Sequence, residues 1–110
     1  MTKHEEGLIA AARPLSELVT YQRGSVVSRA LIQRQTGNVT LFAFDEGQQL
    51  SEHTSPYDAL VQIVEGEGQI RIGGTEHTVH AGCVILLPAN VPHAVLARVP
   101  CKMLLTMIRG

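Results

Sequence analysis

The sequence predicts an all-β domain, a sandwich or closed barrel built from many short strands. Three observations carry this. From residue 25 onward, runs of β-branched and apolar residues recur at short, near-regular intervals. Glycine or proline marks most of the breaks between them. No strand–helix alternation and no internal repeat is present. Such spacing belongs to antiparallel sheets folded on themselves.

Taken in order, residues 1–24 read as an N-terminal arm and residues 25–110 as the barrel domain. In the arm, Leu8 to Arg13 is rich in alanine and suits one or two helical turns, which Pro14 stops. The arm is expected to pack on the barrel, to pack on a partner subunit, or to be mobile. Ser25 to Ile32 reads as the first strand, and Gln35-Thr36-Gly37-Asn38 as a turn. Val39 to Phe44 is a second strand, apolar on both faces, as in a sandwich interior or a subunit contact. Asp45-Glu46-Gly47 breaks it. Ala59 to Val64 is the third strand, ended by Glu65-Gly66-Glu67-Gly68. Gln69 to Ile72 is the fourth, and Gly73-Gly74 a hairpin turn. Thr75 to His80, Val84 to Leu87, His93 to Leu96 and Met103 to Ile108 complete the set.

Composition narrows the function classes. Apolar residues make up 45% and charged residues 17% of the chain; a disordered tail is thereby excluded. The net charge of -1 gives no electrostatic case for nucleic acid or an anionic membrane surface. No apolar run is long enough for a membrane-spanning helix. The opening Met1-Thr2-Lys3-His4-Glu5-Glu6 has no apolar core of a secretory signal, so a cytoplasmic location is expected. Cys83 and Cys101 form no CxxC pair and read as two buried thiols. His77, His80 and the Glu65/Glu67 turn read as solvated. Tyr57 either gates a pocket or packs outside the barrel, the latter being favoured. No P-loop, EF-hand, zinc-finger or Ser-His-Asp spacing is present.

Two stretches are more specific than the strand pattern. One runs from Gly47 through His53, Ser55 and Ala59 to Gly66. The other runs from Gly82 through Pro88, Asn90 and His93 to Ala97. Glycines 47, 66 and 82 stand where strands turn sharply. His53 and Ser55 are two apart, so an extended chain puts them on one face. The same alternation gives Ala59, Val61 and Ile63 one face, and Asp58, Leu60 and Gln62 the other. In the last strand Met103, Leu105 and Met107 share a face, with Lys102 and Thr106 opposite.

These two stretches resemble the paired motifs of the cupins, and the chain is similar to a small single-domain cupin with a degenerate metal motif. The resemblance implies a double-stranded β-helix, or jelly-roll barrel. It also implies a pocket with His53, Ser55 and His93 as its polar points and Ala59, Val61, Ile63, Met103, Leu105 and Met107 as its lining. Metal-binding cupins add a second histidine and a glutamate in the first motif. Here those positions hold Ser55 and Ala59, and the residues expected as glycine and asparagine in the second motif are Asn90 and Ala97. Any divalent metal (iron, manganese, nickel, copper or zinc) would then rest on His53 and His93 and be held weakly. The expected function is small-molecule binding in an apolar pocket. The alternatives are a metal-dependent cupin enzyme of the dioxygenase, isomerase or decarboxylase type, a metal-free histidine acid or base, and a module with a vestigial pocket. A homodimer is expected, because the strands at Ser25–Ile32 and Val39–Phe44 carry more apolar surface than one small barrel buries.

Overall fold

The computed structural model describes residues 3–110, with side chains from residue 5; Met1 and Thr2, the start of the arm, lie outside the described residues. Alternating apolar residues form strands because each strand buries one face. In order these are β1 (Val26–Arg34), β2 (Gly37–Phe44), β3 (Gln49–His53), β4 (Asp58–Glu65), β5 (Glu67–Ile72), β6 (Thr75–His80), β7 (Val84–Leu87), β8 (His93–Leu96) and β9 (Cys101–Ile108). One sheet has the order β1-β2-β9-β4-β7 and the other β3-β8-β5-β6. All pairings are antiparallel. The chain switches repeatedly between the two sheets, which is the jelly roll expected from the sequence.

Between the sheets lies one apolar core, which includes Phe44, Val61, Ile63, Ile70, Val95, Cys101 and Met103. Its members on β4 are the odd residues Ala59, Val61 and Ile63, while Asp58 and Leu60 point outward. The chain also has a second core. Val19, Leu31, Leu41 and Ala43 are buried on the outer face of the first sheet, beneath Leu8, Leu15, Leu18 and Tyr21. The even and odd residues of β2 therefore serve different cores, which is why that strand is apolar on both faces. Much of the surplus apolar surface on which the expectation of a dimer rested is covered within the chain. Exposed apolar side chains remain on the opposite edge, at Leu60, Val84 and Leu86.

Polar contacts fasten the arm over this second core. Lys102, expected on the outward parity of β9, is buried there. Its Nζ donates to Ser16 O at 2.6 Å, lies 3.6 Å from Glu65 Oε2, and sits 4.8 Å above the Tyr21 ring. Tyr21 donates its hydroxyl to Glu65 Oε2 at 2.5 Å. Glu65 is thus an arm contact and not simply a solvated turn residue.

Three expectations are corrected. β3 was missed, because among Gln49 to His53 only Leu50 is half-buried and no alternation shows. The helical turn falls at Lys3–Glu6 rather than Leu8–Arg13. Leu8 is drawn instead to the sheet beside Leu15 and Leu18, and this packing overrides the helix preference of the alanines. A single 3-10 turn follows at Leu15–Glu17. Cys83 is exposed, in the turn before β7, and only Cys101 is buried. No helix among the described residues is long and apolar enough to cross a membrane.

Candidate functional site

The strand register of the second sheet places His53, the last residue of β3, opposite His93, the first residue of β8. A β-bulge between Leu50 and His53 bends the end of β3, a device that re-aims side chains. The loop before β8 is set by Asn90, whose φ of 66° is left-handed. Asparagine is one of the few residues that accept this conformation in place of glycine. Asn90 N donates to Ser55 O at 2.7 Å, and Ala89 N to Asp58 Oδ1 at 2.8 Å. These bonds tie residues 54–58 to residues 88–91 at one end of the barrel.

The result is a close pair of imidazoles from residues 40 apart in sequence. Their Nε2 atoms are 3.1 Å apart, and the rings meet edge to face, centroids 4.3 Å apart at 70°. His53 Nδ1 lies 2.8 Å from Ser51 O, and His93 Nδ1 lies 3.3 Å from Val91 O. His53 is exposed; His93 is buried.

The other sequence-derived residues divide. Ser55 is half-buried, but its Oγ accepts from Tyr57 N at 3.2 Å, so the hydroxyl is used by its own turn. Val61 and Ile63 have no exposed surface, Met103 is 1% exposed and Ala59 4%. These four were expected to line a hollow. They are closely packed core instead, because side chains fill the interior of a small barrel. Leu105 and Met107 are only half-buried. They pair with Thr40 and Asn38 on β2, which share the inward parity of Phe42 and Phe44. The inward alternation of β2 thus runs from Phe42, packed against the core, into the polar residues Thr40 and Asn38. Tyr57 is exposed, with the Arg109 guanidinium 5.7 Å from its ring centroid, and so packs on the outside.

A resident divalent metal does not fit this donor set. Metal centres of that type use three or four protein ligands. Among the described residues no group of three or more His, Cys, Asp or Glu side chains converges. Neither Ser55 nor Asp58 completes a site, since each is used by backbone N–H groups of the loops.

Burial pushes the His93 pKa below the ordinary imidazole value of 6.5; the Val91 carbonyl opposes this and the charge of His53 adds to it. The folded state therefore disfavours the protonated ring. Stability from this group is complete above pH 6.5 and is lost as pH falls and the unfolded chain binds the extra proton. The urea midpoint is expected to drop between pH 7.5 and 5.5, and to drop less in His93→Gln. Equal drops in the two proteins would remove His93 as the source.

Comparison with known proteins agrees with this geometry. Residues 40–107 match the cupin domain family. A conserved protein of unknown function from Streptococcus pyogenes is 36% identical over 92% of this chain and 89% of its own, with a TM-score of 0.88. A cupin superfamily protein from Desulfitobacterium hafniense is 28% identical over 91% of this chain and 92% of its own, with a TM-score of 0.87. A cupin 2 conserved barrel domain protein from Leptotrichia buccalis is 38% identical over 84% of this chain but only 45% of its own, with a TM-score of 0.82. None of the curated proteins matches the chain. The jelly-roll topology, the two motifs and the match across most of the barrel together make this chain a member of the cupin family.

Proposed function

We propose that this cupin binds a small molecule at the histidine end of its barrel, without a tightly held metal. The observation that carries the reading is the approach of His53 and His93 to 3.1 Å, with no third His, Cys, Asp or Glu side chain converging on them among the described residues. Two convergent polar groups suit the fixing of a ligand's orientation.

Calorimetry against a metabolite panel tests this, with chelator and with added iron, manganese, nickel, copper or zinc. Binding is expected to survive chelation and to weaken at least about tenfold, or about 1.4 kcal/mol, in His53→Ala. The competing reading is a metal-dependent cupin enzyme. Near-stoichiometric metal in protein purified without a histidine tag, lost in His53→Ala, would replace the first reading with the second. A folded protein that binds nothing on the panel would defeat both.

A further inference from the structure

Strand register lays one uncharged row of side chains across the outer face of the first sheet. Ile32 on β1 stands opposite Val39 on β2, and Val39 opposite Thr106 on β9. Thr106 stands opposite Leu60 on β4, and Leu60 opposite Leu86 on β7. The row crosses all five strands. Val84 and Ile108 flank it, paired with Gln62 and Asp58, the outward neighbours of Leu60. A bulge between Ala30 and Ile32 adds a residue to β1, so Leu31 and Ile32 both border a groove shared with Val39 and with Ile9 of the arm.

An antiparallel sheet commonly turns a polar face to solvent. The second sheet does so: Glu67 pairs with His80, Arg71 stands opposite Glu76, and Glu76 also pairs with Arg98. The first sheet does not. Its arm seals the half over Leu41 and Ala43 and leaves Ile32, Leu60 and Leu86 open. Eight large apolar side chains are exposed among the described residues. Five of them (Ile32, Leu60, Val84, Leu86 and Ile108) lie on this face, and Ile9 borders it; each keeps 43–64% of its surface in solvent. A half-exposed Ile, Leu or Val leaves on the order of 100 Å² to water, so these six present roughly 600 Å², the upper end of what a monomer keeps exposed. A stable pair of like chains buries about 800 Å² on each partner. Half-buried Val39, Thr106 and Gln62 and the polar rim bring the face to that scale.

We propose that this face is the contact between two copies of the chain, related by a two-fold axis that runs along β9 at Thr106. A two-fold contact requires a surface that complements itself. The row meets this, being aliphatic at both ends about a small central threonine. Rotation about the axis lays Ile32 and Val39 of one copy over Leu86 and Leu60 of the other. Two sheets packed in this way stand about 10 Å apart with their strands nearly aligned. The rim charges agree with the arrangement. In the adjoining row Arg34 on β1, which also pairs with Glu5, and Asp58 on β4 stand on opposite sides of β9. The rotation therefore sets each Arg34 on the side of the other copy's Asp58. Below the dissociation constant the face is bare, and changes on it such as Leu60→Ala leave the urea midpoint of the single chain in place.

Sedimentation equilibrium of the full chain reads the state directly, with a dimer expected at about 10 µM. Leu86→Glu and Ile32→Glu, at the two ends of the row, should each weaken it at least about a hundredfold. Val99→Glu, at an exposed apolar site off the face, should leave it unchanged. Circular dichroism checks that each variant is folded. A further measurement needs no variant: in a sample mixing labelled and unlabelled copies, nuclear Overhauser contacts between copies are expected from the methyls of Ile32 and Val39 to those of Leu60 and Leu86. If a variant fails to fold, these contacts decide. A chain still monomeric at about 100 µM overturns the proposal and leaves the face to a different partner. A dimer that survives both glutamates, or whose contacts between copies arise from other strands, overturns it equally.

Discussion

Gly66→Ala lowers the stability of the fold by roughly 2–5 kcal/mol, whereas Gly74→Ala costs about 1–2 kcal/mol. Both glycines are left-handed, with φ of 75° and 85°, so alanine meets similar backbone strain at either. They differ in what the added methyl meets. Around Gly74 nothing lies within 4 Å. At Gly66 the new Cβ would overlap the carbonyl oxygen of Pro100 and lie 3.3 Å from Cys101 Cα. Both are backbone atoms, which cannot swing aside as the end of a side chain can. Gly66 is also the one residue between β4 and β5, where the chain leaves one sheet for the other. To admit the methyl, that junction must lift from the start of β9, where Glu65 pairs with Lys102. Urea unfolding of the two variants measures the difference. Equal costs would mean that Pro100 is not the obstacle.

How much of this was legible in the sequence depended on the kind of signal. Strands rich in β-branched residues announced themselves, and the alternation along β4 and β9 identified the buried faces of both. Alternation tells which way a side chain points but not how deep it lies. Val61 and Ile63 therefore read as pocket lining although they are sealed in the core. Lys102 read as outward and exposed, because nothing local says that an arm from far away in sequence will cover it. β3 left no trace, since its place is fixed by pairing with β8 and hardly at all by burial of its own residues. The two histidines were legible because the turns on either side are spelled out in glycine, proline and asparagine. The direction of the Ser55 hydroxyl was not: a serine at a turn can bond its own backbone as readily as a pocket, and here it does.

Phe44→Ala is expected to cost about 3–5 kcal/mol, a large fraction of the roughly 5–15 kcal/mol that holds a domain folded. Phe44 has no exposed surface and stacks on Phe42, with ring centroids 5.9 Å apart. It also pairs across strands with Cys101, and the thiol provides a built-in reporter. Burial, reinforced by the charges of Glu65 and Glu67, pushes the Cys101 thiol up to about 11, and its side chain is inaccessible. A disulfide reagent should therefore modify exposed Cys83 at once and Cys101 only when the fold opens. Where opening is in equilibrium, the Cys101 rate follows the open population and rises tenfold per 1.4 kcal/mol or so. Phe44→Ala should then speed it by roughly 10² to 4 × 10³, while Leu60→Ala, on the exposed face of β4, should change stability by no more than about 0.5 kcal/mol. A lowered urea midpoint with an unchanged Cys101 rate would assign the thiol's exposure to local motion of β9. An unchanged midpoint would show that the ring is not part of the barrel's packed interior.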